Sequence, residues 1–290
     1  MGADGQCTGE TEFQEAGVEA GQAPETRSGL LSVPYRAVER IGGVSRNIAE
    51  HAGQLGTLFW TVCVSLFRFK VSRRDILTQV YVIGVQSVPI VVVTAILAGI
   101  VTSQQGGYQF TGSIPLYVMG SIVVESVVLE LGPVLTAVVL VGRVGARITA
   151  ELGTMEVSEQ IDAFHSLGRD PIALLVAPRV VAGVLVVPVL TAIAIIVGIF
   201  AGLYSAHVTL GLGTEAFWYG ARLFWHSWDI LYSLNKALVF GLAIPLISAH
   251  MGLRTTGGAS GVGRTTTASV MFMTLTVLIL DALFPPLFLN

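Results

Sequence analysis

Apolar residues occur in this chain in long unbroken blocks and not in alternation with polar ones. No Asp, Glu, Lys or Arg falls from Ile76 to Val124, from Val180 to Thr214, or from Thr265 to Leu280. A membrane-spanning helix needs roughly 20 mostly apolar residues, whereas a membrane β-barrel shows short alternating segments. The blocks therefore predict an all-α polytopic membrane protein. The first block is too long for one span, and its middle, SQQGGYQFTGS (Ser103 to Ser113), is a polar, glycine-rich turn. Five spans are expected, at 77–102, from near Ile114 to about Glu151, and at 172–205, 232–253 and 267–288. The second is nearly twice as long as the hydrocarbon layer is thick. It is expected to project into water, to break at Gly132-Pro133, or both.

Ahead of these spans, Leu55, Leu58, Phe59, Val62, Leu66 and Phe69 recur at helical spacing on one face. The segment is short for a span and ends in RFKVSRRD. An amphipathic helix lying in the interface is predicted, with a first transmembrane helix as the alternative. Three regions follow. Residues 1–29 form a polar, glycine-rich tail carrying Asp4, Glu10, Glu12, Glu15, Glu19 and Glu25. That tail is expected to be disordered, and it lacks the apolar stretch of a cleavable signal peptide. Residues 30–75 form a cytoplasmic or interfacial helical segment, and 76–290 the transmembrane domain.

Composition narrows the chemistry. The chain is 53% hydrophobic and 12% charged, about half the charge of a soluble domain, and its mean hydropathy is +0.74. Cys7 and Cys63 offer neither a disulfide framework nor a metal-site spacing, and the five histidines are scattered. A phosphate-binding loop needs a glycine-rich turn followed by Lys and then Ser or Thr. The only lysines, Lys70 and Lys236, sit in no such loop. No catalytic residue, metal site or cofactor is expected in the chain, and no nucleic acid among its partners.

Lys and Arg near span ends set orientation. Arg68, Lys70, Arg73 and Arg74 precede the first span, Arg143, Arg147, Arg169 and Arg179 lie between the second and third, and Arg254 and Arg264 between the fourth and fifth. The opposite side has Arg222 and, close to a span end, Lys236. The N-terminus is thus expected in the cytoplasm and the C-terminus outside. On the cytoplasmic side lies TMEVSEQIDAFHSLGRDP, in which Glu156, Glu159, Asp162, His165 and Arg169 recur every three or four residues. Val157, Ile161, Phe164 and Leu167 line another face, Gly168 suits a helix end, and Asp170-Pro171 suits the start of the next helix. A short amphipathic helix over about 155–169 is predicted. It is either a solvated linker or a docking helix for a soluble partner; its acidity favours the latter, since a helix meant for anionic lipid should be basic.

The run ELGPVLTAVVLVGRVGARITAELGTMEVSEQIDAFHSLGRDPIALLVAPRVVAG (Glu130 to Gly183) closely resembles the MlaE/YrbE permeases. DILYSLNKALVFG (Asp229 to Gly241) and TTGGASGVGRTTTASV (Thr255 to Val270) extend the resemblance from about residue 50 to the end. It implies a homodimeric permease subunit of an ATP-driven ABC transporter that moves phospholipid or a related lipid. It also implies a separate cytoplasmic ATPase that holds ATP and Mg, an MCE-domain protein that is periplasmic or membrane-anchored, and an accessory cytoplasmic subunit. The implied location is the bacterial inner membrane. EQIDAFHSLG would be the coupling helix seated in the ATPase, with Glu156, Glu159, Gln160, Ile161, Asp162, Phe164, Leu167, Gly168, Arg169 and Asp170 making the contact. By the same resemblance, Glu130, Leu131 and Pro133 would border the lipid cavity; Lys236 is expected beside them, and spans 1, 2 and 5 are expected to form the walls. Where the family commonly has Arg before ELGP, this chain has Leu129, which removes one candidate for holding a phosphate.

Several residues keep two interpretations. Glu125 and Glu130 lie at membrane depth, where an ionised side chain costs roughly 2.5–3.5 kcal/mol on insertion scales. Glu130 either faces substrate or pairs with a partner such as Lys236; for Glu125 a structural role is preferred. Arg143, Arg147 and Glu151 form a stripe suited to anchoring, with Arg147–Glu151 spaced as a helical pair. Gly198 and Gly202 permit close helix packing. The aromatic residues of 206–231, from Phe217 to Trp228, suit an interfacial belt or contact with an external partner. At the level of the whole protein, the rivals to an ATP-driven permease are a self-sufficient ion-coupled transporter or channel and a structural membrane anchor.

Overall fold

The computed structural model describes residues 53–66, 72–109 and 115–288. The tail expected over 1–29 and most of the segment expected over 30–75 lie outside the described residues, as does Phe69. Helix α1, Gly53–Leu66, buries Leu58 and Val62 and leaves Phe59 and Trp60 exposed. Its Leu55 and Leu66 rest on the main core.

Five helical stretches are long and apolar enough to cross a membrane, at Arg73–Gln109, Val118–Val157, Ile172–Leu210, Ser227–Gly252 and Gly258–Phe288. They are spans 1 to 5. Span 1 comprises α2 (Arg73–Ile83) and α3 (Val88–Gln109), joined by a 3-10 turn at Val85–Ser87. Span 2 comprises α4 (Val118–Ser126), α5 (Gly132–Leu140) and α6 (Ala146–Val157). Helix α7 (Gln160–Ser166) follows. Span 3 is mainly α8 (Ala177–Leu210). A short helix, α9 (Thr214–Leu223), leads to α10 (Ser227–Gly252, span 4) and α11 (Gly258–Phe288, span 5).

Span 2 does not break at Gly132-Pro133. It stays helical because wide π-helical turns at Val127–Leu131 and Val141–Gly145 join α4, α5 and α6. A third such turn, Ile172–Val176, opens span 3 just ahead of Pro178. Proline donates no amide hydrogen bond, and a wide turn before it frees the local backbone from the ordinary ladder without ending the helix. The turns also re-aim side chains, and Glu130 and Arg143 both sit in them.

The spans approach closely through glycine. A Cβ placed on Gly99 would overlap the Gly198 carbonyl and lie 3.1 Å from the Gly202 amide nitrogen. The Gly198/Gly202 pair therefore lets α3 lie directly on α8. Gly183 and Gly241 make the equivalent contact between α8 and α10. The main core, including Ile83, Leu140, Leu152, Val187, Phe240 and Met273, draws on all five spans and on Val62 of α1.

Candidate functional site

The wide turn at Val127–Leu131 carries Glu130 out of the ordinary helical register. Its carboxylate accepts a hydrogen bond from Lys236 Nζ at 2.7 Å, while half of the Glu130 side chain remains exposed. Lys236 is completely buried. It also pairs with Asp281 of span 5, and its Nζ lies 5.6 Å from the Tyr232 ring centroid. Two carboxylates thus surround one buried ammonium, which removes much of the penalty of holding a bare charge among apolar helices. Tyr232 packs in turn on Phe284 and Phe288 of α11.

Glu130 faces an open groove of about 710 Å³. Its other walls come from Thr94, Leu97, Ala98, Val101, Thr102 and Gln105 of α3, and from Ser126, Leu131 and Leu135 of span 2. Spans 1 and 2 form this groove; span 5 contributes no lining residue among the described residues and instead supplies Asp281 to Lys236. Of the four residues singled out for the cavity, Glu130 and Leu131 line this groove. Pro133 and Lys236 are buried away from it. The groove is apolar along most of its length, carries hydroxyl and amide groups on α3, and among the described residues has Glu130 as its one charged lining residue.

At the end of span 2 nearer α7, Arg147 donates to Glu151 at 2.6 Å, the helical pair read from spacing. The other oxygen of Glu151 accepts from Arg179 of α8 at 3.1 Å, and Arg179 also donates to the Leu175 carbonyl. Arg143, aimed by the second wide turn, donates to Ser87 Oγ at 2.5 Å and so ties span 2 to span 1.

The expected helix over 155–169 is interrupted. Span 2 runs to Val157, so Glu156 belongs to it, and Glu159 adopts a left-handed conformation (φ 58°) that turns the chain into α7. Few non-glycine residues take that conformation. Glu159, Gln160, Asp162, Leu167, Gly168 and Arg169 are exposed, Phe164 and Asp170 half-buried, and Ile161 buried. Gly168 takes a left-handed φ of 68° at the end of α7. Asp170 Oδ1 then accepts the Ile172 amide at 3.0 Å, capping the next helix. The result is a short helix with one apolar anchor, whose acidic and apolar surface faces away from the bundle.

Sequence reasoning missed Asp281, the structural part of Arg179, and α9. A lone acid in an apolar helix, like Asp281, is itself a signal. Thr94, Thr102 and Gln105 also share a helical face by spacing. Helix α9 falls in the stretch expected to be a loop. It buries Phe217 and lets Gly220 meet the Tyr117 carbonyl, while Trp218 and Tyr219 stay partly exposed. Among the described residues, no group of three or more His, Cys, Asp or Glu is placed to hold a metal.

Comparison with known proteins agrees with this architecture. Residues 76–286 match the family described as Permease MlaE. A probable ABC transporter permease protein of Synechocystis sp. is 38% identical over 218 residues, covering 75% of this chain and 83% of that protein. A probable ABC transporter permease protein of Rickettsia prowazekii is 37% identical over 248 residues, covering 86% and 96%. A third, from Pyropia yezoensis, is 35% identical over 224 residues, covering 77% and 85%. The match takes in the wide turn with Glu130, the Glu151–Arg179 pair and α7 alike, and the chain belongs to the MlaE permease family.

Proposed function

We propose that this chain is the transmembrane subunit of an ATP-driven ABC transporter that moves phospholipid or a related lipid across or out of the bacterial inner membrane. The single observation that carries this reading is the shape of α7. It is a short helix turned outward between spans 2 and 3, anchored by Ile161 and showing Glu159, Asp162 and Leu167 to solvent. A solvated linker needs no such fixed geometry, whereas a partner that pushes on the bundle does. The relatives named as probable ABC transporter permeases support the same reading.

In this scheme the ATPase binds ATP and Mg in its own subunit and docks on 155–171. Its closure presses on α7, and the force passes into spans 2 and 3 at once because Glu151 and Arg179 tie them together. A tilt of span 2 moves Glu130 and the groove wall. Lipid enters or leaves the groove as its opening changes. A second copy of the chain covers the exposed apolar face of α11 (Phe272, Leu275 and Ile279), and an MCE-domain protein and an accessory subunit complete the assembly. The N-terminus and α7 lie in the cytoplasm and α9 outside.

Purification from native membranes tests this. An ATPase should co-purify with the chain and be lost from the double variant Glu159→Lys, Asp162→Lys, while the chain itself remains folded. The buried Lys236–Glu130–Asp281 cluster favours one other reading, an ion-coupled transporter. Transport by the chain alone in vesicles, following an ion gradient, would establish that alternative.

A further inference from the structure

The charge of the groove points to its cargo. Glu130 is half-exposed to the groove, and among the described residues no Lys or Arg lines it. The nearest cation among the described residues, Lys236, has no exposed surface, and it is shared between Glu130 and Asp281. Two carboxylates against one ammonium leave the cluster with an excess negative formal charge, and its most accessible member, Glu130, is an acceptor. The remaining polar groups of the wall, on Thr94, Thr102, Gln105 and Ser126, are neutral. An anionic head group in this groove would meet like charge and no donor cation. A head group bearing an ammonium or hydroxyl would meet an oriented carboxylate in an apolar channel, where a charged hydrogen bond is stronger than in water.

We propose that the groove selects amphiphiles whose polar end donates hydrogen bonds and carries no net negative charge. Glu130 is the residue that recognises that end. Asp281 is a positioning residue: it takes up part of the charge of Lys236, so that the ammonium does not by itself cancel the Glu130 carboxylate on the groove side. This inference rests on the groove being the lipid path of the permease proposed above.

The test uses the full-length chain reconstituted in membranes of equal phosphatidylethanolamine and phosphatidylglycerol, then extracted, with the lipids that stay bound quantified by mass spectrometry. Retained phosphatidylethanolamine should exceed phosphatidylglycerol by about three- to fivefold, the size expected of one half-exposed charged contact. Glu130→Gln and Asp281→Asn should both bring the ratio close to unity at unchanged folded yield, which a purely structural role for either carboxylate would not do. Gln105→Lys, which puts a cation on the groove wall, should invert the ratio. Equal or preferential retention of phosphatidylglycerol by the unmodified chain would overturn the assignment while leaving lipid transport standing. Retention of neither lipid would overturn the permease reading and this inference with it.

Discussion

Glu151 at the end of span 2 and Arg179 at the start of span 3 are joined by a 3.1 Å ion pair, and α7 is the chain between them. The helix is therefore carried on two legs that are fastened together at their base. Arg147 holds the second oxygen of Glu151, so the clamp is a three-residue network.

Removing the carboxylate should loosen this support. Arg179 is 9% exposed and Glu151 38%, so Glu151→Gln leaves a nearly buried guanidinium with its charge uncompensated. The expected loss is about 1–3 kcal/mol, below that of a fully buried pair because Glu151 is partly solvated. Thermal unfolding in detergent measures it. If force passes through the clamp, a complex carrying the variant should also move less cargo for each ATP hydrolysed by the proposed ATPase subunit.

Lys236→Met should be more damaging, on the order of 3–5 kcal/mol, because Glu130 and Asp281 lose their common partner. Adding Asp281→Asn should recover part of the loss, since it removes one of the stranded carboxylates. A double-mutant cycle read by unfolding midpoints would show this as a strong non-additive coupling.

The glycine contact between spans 1 and 3 gives a steric prediction. Gly99→Ala places a methyl against the Gly198 carbonyl. Overpacking of this kind costs about 1–3 kcal/mol. Gly142→Ala, at a position with nothing within 4 Å of the new methyl, should leave stability close to that of the unmodified protein. Equal effects at the two sites would mean that α3 and α8 are not in backbone contact.

The turn into α7 gives another prediction. Glu159 holds a left-handed φ of 58°, which a side chain adopts at a cost and glycine adopts freely. Glu159→Gly should therefore keep or slightly raise thermal stability while removing one acid from the proposed docking face. Partner affinity should fall as unfolding temperature holds, and the two readouts separate surface chemistry from backbone strain.

The five spans were legible because charge-free blocks of bilayer length leave a chain no other way to hide its backbone. The Arg147–Glu151 pair was legible because i, i+4 spacing on a helix needs no tertiary knowledge. Contacts between distant positions were not. The pairing of Lys236 with Glu130 could be offered only as one choice, and Asp281 gave no local pattern to pair it with either. The wide turns were also hidden. Gly132-Pro133 signals that the ordinary ladder fails there, but whether the helix breaks or widens depends on packing against span 3, where Ile195 fills the space beside Gly132. The interruption at Glu159 escaped for a similar reason. Period alone placed Glu156 with Glu159 and Asp162, and a single left-handed residue leaves no trace in periodicity.

The most direct measurement concerns the surface of α7 itself. A photoreactive benzoylphenylalanine in place of Phe164 is irradiated in native membranes, with the same probe in place of Tyr219 on α9 for comparison. The account predicts a crosslink from position 164 to a nucleotide-binding subunit and none from position 219. A nucleotide-binding subunit captured from position 219, with position 164 left unlinked, would contradict it.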